Sequence, residues 1–429
     1  MNAYETVRAV TRLSTFLVFL AATAALGLVF RSPVLLALFE AGTAFLILSY
    51  LYVLLAARRV DVARSLVPRA YEEDSVSVTL SVRHSGLLPL FLVEVRDWCP
   101  IEAVPGKTLV VPELPGRNRP LRVRYTTKAD RGRGRFTLGP VRVTISDPLG
   151  LFRRERTVAA LSEIVVYPKT FPIRDLGIRE IQETSLVGAA NPRRSGSSPL
   201  FYGTREYQAG DNPRRIHWRA SARWGRLVLK EFENPADVTL TGFLDLDRAT
   251  LCGLGRGSNI ERGIAVAASA AEYAESRGHP FQLIADGEEP VYLPPRVGRR
   301  SLLGVLDALA RVRCGRTPLL DLLRRGARFV AEGSAVLVLF NRLDFDRDGF
   351  ADVAAEWRRK SVQGAAVVMD DLSFLPIEEM RGPQDPNRMV GAVEFLRGLG
   401  WSAFVLRAGD DLEQVFAFGG VPEAGKVHA

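Results

Sequence analysis

Two long apolar stretches near the start constrain what this chain can become. Leu13 to Phe30 has Ser14, Thr15 and Thr23 as its only polar side chains and carries no charge. After Arg31-Ser32-Pro33, Val34 to Ala57 carries a single charge, Glu40. A helix rises about 1.5 Å per residue and a bilayer's hydrocarbon core is about 30 Å thick, so each stretch is long enough to span. A cleaved signal peptide is the competing reading of the first. Its apolar run exceeds the usual signal core, and a second span follows at once. The sequence therefore predicts a two-helix transmembrane hairpin within residues 1–59, with spans at 13–30 and 34–57.

Arg8 and Arg12 precede the first span and Arg58, Arg59, Arg64 and Arg69 follow the second, whereas the connection offers only Arg31. Positive flanks stay inside, so both termini and the large remainder are expected in the cytoplasm. Three cysteines (Cys99, Cys252, Cys314), odd in number and far apart, exclude a disulfide scaffold and suit a reducing compartment. Four histidines, none beside a cysteine cluster, argue against zinc. The net charge of +9 permits contact with anionic lipid or nucleic acid and demands neither. Glu40, shallow in the second span, reads as an interfacial carboxylate rather than a proton relay.

Over residues 60–172 the apolar period changes to two. Ser75–Arg83, Leu121–Thr126 and Val141–Ile145 alternate polar with β-branched or apolar residues, Ile164–Tyr167 closes the series, and Gly- and Pro-rich turns separate them. Short alternating strands with frequent turns predict a β-sandwich. Arg131, Arg133 and Arg135 are expected on a solvated hairpin tip near the membrane.

Residues 173–236 hold the most unusual segment, Arg205 to Phe232. Asp211 is placed to cap a short helix begun at Pro213 and running to about Ala222. Gly225 ends it, and Leu227–Phe232 reads as a strand. Arginines interleaved with His217, Trp218 and Trp224 admit three readings: a structural seam of guanidinium–carboxylate bonds, a protein interface, or a nucleic-acid surface. The seam is preferred. It requires Arg214, Arg215 and Arg223 to bond carboxylates or carbonyls, and Trp218 to be buried.

From residue 237 to 429 short apolar runs alternate with helical patterns. Strands are expected at Val238–Leu246, Phe281–Ile284, Ala335–Phe340, Ala365–Met369 and Ala403–Leu406. Helices are expected at Ile260–Ser276, Arg300–Arg311, Ala351–Arg359 and Arg388–Leu399. Such alternation predicts an α/β domain around a mostly parallel sheet, with any ligand beyond the strands' C-terminal ends. Gly253-Leu-Gly255-Arg-Gly257 follows the first strand, but its spacing departs from a dinucleotide loop and it reads as a flexible connection.

The motif Arg205-Glu-Tyr207-(x)2-Gly210-Asp211-(x)2-Arg214-Arg215-Ile-His217-Trp218-(x)2-Ser221-Ala-Arg223 resembles the signature of the DUF58 family. Arg131–Pro140, Asp147-Pro-Leu-Gly-Leu-Phe152 and Val166-Tyr-Pro168 are similar to that family's layout as well. The resemblance implies a bacterial or archaeal inner (cell) membrane protein with a β-domain, the signature segment and a von Willebrand factor A-like, Rossmann-type C-terminal domain. It also implies a MoxR-type AAA+ ATPase and a transglutaminase-like membrane protein as neighbours, and supplies no established reaction. A von Willebrand A domain would carry Asp-x-Ser-x-Ser where this chain has Asp245-Leu-Asp247-Arg-Ala249. With Thr317 as the distant threonine and Asn341 in place of an acid, the site is degenerate for Mg²⁺, which needs several oxygen ligands. No bound metal or other cofactor is expected.

No Ser-His-Asp spacing, catalytic carboxylate pair or Walker loop is visible. The expected function is a membrane-anchored, non-enzymatic adaptor presenting its C-terminal domain to a cytoplasmic partner. The alternative is a membrane-associated nucleic-acid-binding protein using the Arg/Trp segment.

Overall fold

A computed structural model describes residues 3–87, 89–178, 201–206, 216–232, 238–376 and 387–417. The chain divides into two compact units, Met1–Tyr167 and Pro168–Ala429.

The first unit opens with helices α1 (Ala3–Val29) and α2 (Pro33–Arg58), which turn at Arg31 with φ 49°. Pro33 suits a helix's first turn, where the missing N–H costs nothing. Both helices are long and apolar enough to cross a membrane, and Leu17, Val18, Phe19, Ile47 and Leu48 stand exposed on them. In a water-facing helix such side chains would be costly; in lipid they are not.

Ten strands follow: β1 (Val60–Leu66), β2 (Arg69–Tyr71), β3 (Ser75–His84), β4 (Leu90–Asp97), β5 (Lys107–Leu114), β6 (Leu121–Lys128), β7 (Gly134–Leu138), β8 (Val141–Ser146), β9 (Arg153–Val158) and β10 (Ser162–Tyr167). They form three sheets, ordered β1-β3-β6, β5-β4-β8-β9 and β2-β10-β7. The first two are antiparallel, and the third is mixed because β10 runs parallel to β2. Alternation drives the assembly. β3 buries Val76, Val78, Leu80 and Val82 while turning its serines outward, and β8 does the same with Val141, Val143 and Ile145. These residues share one core with Leu90, Val93, Val95, Ile164 and Val166, and with Ala56 and Ala57 of α2.

One finding corrects the sequence reading. Arg131 is held by its backbone N–H to Ile101, beside Ala129 and Glu73, at the Ser75–Lys128 end of the β1-β3-β6 sheet. The junction with α2 lies at the other end, where Val60 pairs with His84. At about 3.3 Å per residue those ends are roughly 30 Å apart, so the Arg131–Arg135 hairpin points away from the helices. Strand direction, invisible in a turn's composition, decides this.

The second unit begins with residues laid along its own core: the Phe171 N–H donates to Ser269 Oγ (3.0 Å), and Ser402 Oγ donates to the Gly177 carbonyl (2.7 Å). β11 (Phe201–Glu206) pairs antiparallel with β12 (Val228–Phe232), joined through a short helix α3 (Trp218–Trp224). A six-stranded mixed sheet follows: β13 (Leu240–Leu244), β14 (Phe281–Asp286), β15 (Pro290–Arg296), β16 (Ala335–Phe340), β17 (Gln363–Met369) and β18 (Ser402–Leu406), ordered β15-β14-β13-β16-β17-β18. All neighbours run parallel except β14 and β15. Every residue of β13 and β16 is buried, so both faces are covered and the strands read as unbroken apolar runs.

The principal helices of this unit are α4 (Asn259–Ser276), α5 (Arg299–Arg311), α6 (Leu319–Gly326), α7 (Arg347–Arg359) and α8 (Asn387–Gly398). Leu322, Leu323, Phe350, Trp357 and Leu396 from α6, α7 and α8 pack with Phe243, Val338 and Val368 of the sheet. Sequence reading found the inner strands, because a solid apolar run bounded by turns has few other fates. It missed β15 and α6: β15 is an edge strand with three prolines, and α6 is barely two turns long.

Candidate functional site

The chain leaves β13 toward β14 on one side and later returns to β16 on the other, so a crevice opens beyond the C-terminal ends of β13 and β16. A cleft of about 190 Å³ lies there. Leu319, Leu320, Leu323, Phe340, Phe345 and Phe350 form its apolar wall, and Asp245, Asp247, Thr250, Asn341, Arg342, Asp344 and Asp346 supply polar groups.

Asp245, the last residue before the loop, is 3% exposed. Its Oδ1 accepts the Asp247 N–H (3.0 Å), and Thr250 Oγ1 lies 3.4 Å from its Oδ2. Burial pushes this carboxyl up to about 6, while hydrogen bonds from the backbones of Asp247 and Asn341 pull the other way. Asp247 caps the short 3₁₀ turn Arg248–Thr250, accepting from the Ala249 N–H (3.0 Å). Two buried asparagines hold the loop. Asn259 Nδ2 donates to the carbonyls of Thr250 (2.7 Å) and Asn341 (3.0 Å), and its Oδ1 accepts the Cys252 N–H (2.9 Å). Asn341 Nδ2 donates to the Asp245 carbonyl (3.0 Å) and to Thr250 Oγ1 (3.1 Å). Ser258 is the N-cap of α4 and accepts the Glu261 N–H.

Thr317 does not join Asp245. Its hydroxyl donates to Asp286 Oδ2 (2.9 Å), which also accepts from Arg325 (2.8 Å), so a closer carboxylate at the end of β14 takes the threonine expected at the metal position. Among the described residues no group of three His, Cys, Asp or Glu side chains converges on one point. Asp245 and Asp247 offer a metal ion little support, since Thr250 Oγ1 is spent on the Asp247 carbonyl and both atoms of the Asn259 amide on the loop, while Asn341 Oδ1 is buried without a hydrogen-bond partner. The glycines of Gly253–Gly257 form a loop with a 3₁₀ turn that leads into the Ser258 cap.

Sequence reading found Asp245, Asp247 and Asn341 but missed Asn259, Thr250, Arg342 and the aromatic wall. One signal was available for Asn259: a polar residue at the start of the otherwise apolar buried face of α4.

The Arg/Trp segment is described in part. Arg205 lies in β11; Tyr207, Gly210, Asp211, Arg214 and Arg215 fall outside the described residues. Helix α3 starts at Trp218, and Gly225, with φ +67°, ends it as expected. Trp218 is 66% exposed, against the expectation that it is buried. A two-turn helix beside a two-stranded ribbon offers no depth to cover an indole. Arg219, Arg223 and Arg226 are exposed with it. The buried side chain is Ser221, whose Oγ accepts the Val228 N–H (2.9 Å), while the His217 N–H donates to the Val228 carbonyl (2.7 Å). Ser221→Ala should orphan that amide at a cost of about 1–3 kcal/mol. Hydrogen exchange at Val228 should then quicken while amides of β13 stay protected; unchanged exchange would refute the latch.

Residues 203–327, which hold most of this segment, the Asp245 loop and α4, match a family described as Protein of unknown function DUF58. The "Uncharacterized protein YeaD" of Bacillus subtilis (strain 168) is 26% identical over 285 residues, 65% of this chain and 68% of that protein. Among solved structures, the CARDB domain of a Pyrococcus furiosus protein aligns at 12% identity over 26% of this chain and 94% of its own, with a TM-score of 0.20. A GH20 exo-β-N-acetylglucosaminidase from Vibrio harveyi aligns at 8% identity over 81% of each chain, with a TM-score of 0.19. Such scores support no argument about fold or chemistry. The DUF58 match spans both the exposed Trp218 helix and the buried Asp245 loop, so both belong to one region of sequence.

Proposed function

We propose that the chain is a membrane-anchored, non-catalytic adaptor. In this reading α1 and α2 cross the bilayer with both termini in the cytoplasm, and the strands of residues 60–167 form a β-sandwich. The six-stranded sheet is a von Willebrand A-like, Rossmann-type domain that presents its cleft to a protein. The strand order with β13 beside β16 and an antiparallel β15 supports the Rossmann-type assignment.

The observation that carries the reading is the cleft. An apolar wall beneath an acidic rim suits an anchor side chain of a partner protein, with a cation beside it. Most of its buried polar groups hold the loop, which leaves shape and charge as the larger part of what it offers. The exposed Trp218, with Arg219 and Arg223, favours an interface over a seam for the signature helix. The partner class implied by the family resemblance is a MoxR-type AAA+ ATPase, with a transglutaminase-like membrane protein in the same assembly.

Asp344 is exposed on the rim, so reversing its charge leaves the core untouched. Affinity purification of the full chain from its own membranes should recover a AAA+ ATPase, and Asp344→Arg should lower recovery about tenfold, as expected for a like charge placed at an interface. Recovery of no ATPase above background, or equal recovery by the variant, would refute the assignment.

A further inference from the structure

β1 begins where α2 ends, and β8 and β9 run beside the last two turns of that helix. The rings of Tyr50 and Phe152 meet at 5.5 Å, and Arg156 Nη1 donates to the Ala57 carbonyl (3.0 Å) and to that of Arg58. The Tyr52 hydroxyl donates to the Pro89 carbonyl (3.0 Å). Two loops are thereby held at the level of Tyr50 and Tyr52. One, together with the start of β4, carries Leu87, 77% exposed, Phe91, 44%, and Leu92, 58%; the other carries Leu149, 50%.

That level matters because of helix length. From Pro33 to Val53 the helix climbs about 30 Å at about 1.5 Å per residue, the thickness of a hydrocarbon core. Arg12 marks the same boundary on α1. A Cβ on Gly150 would lie 2.9 Å from its guanidinium, so the Leu149–Gly150 tip sits against the charge that ends the first span. Gly150 has φ +67°, a conformation that glycine supplies without strain.

An arginine collar surrounds the same end. Ser85 N–H donates to the Arg59 carbonyl (3.0 Å), Arg117 N–H to Gly86 (2.6 Å) and Asn118 N–H to His84 (2.8 Å). These bonds gather Arg59, Arg83, Arg117 and Arg119, all exposed, around the α2 junction. The acids facing them are Asp61, opposite Arg83, and Glu113, opposite Phe91.

We infer that Leu87, with Phe91 and Leu92 at the start of β4, and Leu149 of the Leu149–Gly150 tip insert into the inner leaflet's interface, with the arginine collar on anionic headgroups. This rests on the reading of α1 and α2 as membrane spans. Apolar tips below a basic ring match an anionic bilayer surface, which takes alkyl groups at the acyl boundary and cations just above. Insertion would also fix the tilt of the β-unit on its anchor, which a two-helix hairpin alone leaves free.

The test uses the full chain with Cys252→Ser and Cys314→Ser, carrying Leu87→Cys, Phe91→Cys or Leu149→Cys singly. Each cysteine takes a nitroxide, in vesicles of phosphatidylcholine with about 30% phosphatidylglycerol to supply the anionic surface. Oxygen should relax these labels severalfold more, relative to a water-soluble nickel chelate, than a label placed by Ser77→Cys on the exposed face of β3. Arg117→Gln with Arg119→Gln should make the loop labels shallower. Labels as wet as the Ser77 control, in chain that alkaline carbonate fails to extract, would overturn the insertion alone and leave the tips for a protein. Extraction by carbonate would overturn the anchor and the insertion together. Unchanged depth in the arginine variant would overturn the collar's role.

Discussion

Arg64→Met should cost the first unit about 3–5 kcal/mol, a large part of a domain's total stability. Arg64 and Asp97 form an ion pair whose side chains are 0% exposed. Arg64 Nε donates to Asp97 Oδ2 (3.1 Å) and Nη2 to Oδ1, while Nη1 donates to the carbonyls of Leu138 (3.1 Å) and Ala160. The Tyr125 hydroxyl completes the carboxylate at 2.6 Å. One guanidinium thus ties β1 to β4, to the end of β7 and to Ala160, two residues before β10. Methionine fills much of the volume but leaves a buried carboxylate with Tyr125 as its remaining side-chain donor and takes a donor from two carbonyls. Adding Asp97→Leu removes the orphaned charge, so the double variant should be less damaged than the two single variants' sum. Thermal or urea unfolding of the detergent-solubilised chain reads both effects. A shift within the range of an ordinary surface substitution would show that the pair is not what joins these sheets.

Asp245→Asn should stabilise the second unit at pH 7 and above. Burial raises the carboxyl to about 6 from its ordinary 3.8. An acid that titrates higher in the folded state favours folding below its unfolded pKa, and that contribution is lost as pH rises through the folded value. The difference corresponds to about 3 kcal/mol at neutral pH, at about 1.4 kcal/mol per unit. Asparagine keeps an acceptor for the Asp247 N–H and carries no charge. The variant's advantage should therefore be full above about pH 6 and shrink toward pH 4. Melting temperatures of wild type and variant across that range measure it; a constant or reversed difference would refute the assigned cause. A buried carboxylate retained at such a cost, at the mouth of a crevice, is the kind of group that binding sites keep and cores discard. Asp245→Asn would then gain stability and lose partner recovery.

Why the preferred reading of the Arg/Trp segment failed at Trp218 is instructive. Interleaved arginine and tryptophan state which chemistry is available, not which side of a helix faces a core. The answer depends on what lies beneath α3, and that is a two-stranded ribbon whose first strand, β11, carries no pattern that marked it in advance. The same holds for the Arg131–Arg135 hairpin, where composition identified a turn but only the register of β3 with β6 placed it at the end away from α2.

What the sequence determined by itself is whatever local periodicity can encode. Apolar runs longer than a bilayer's core became α1 and α2. Strict alternation became β3, β6 and β8, and solid apolar runs between helical patterns became β13, β16 and β17. Each depends on neighbours a few residues apart, where helix and strand geometry fix which side chains share a face. Tertiary structure alone decided the rest. The Arg64–Asp97–Tyr125 knot joins residues 33 and 28 positions apart, the asparagine clamp spans 82 and 96, and the cleft draws on three separate segments. A charge or amide on a strand looks the same in sequence whether it faces water or a partner brought from far along the chain. Burial decides which, because only in a low-dielectric interior does the missing partner cost several kcal/mol.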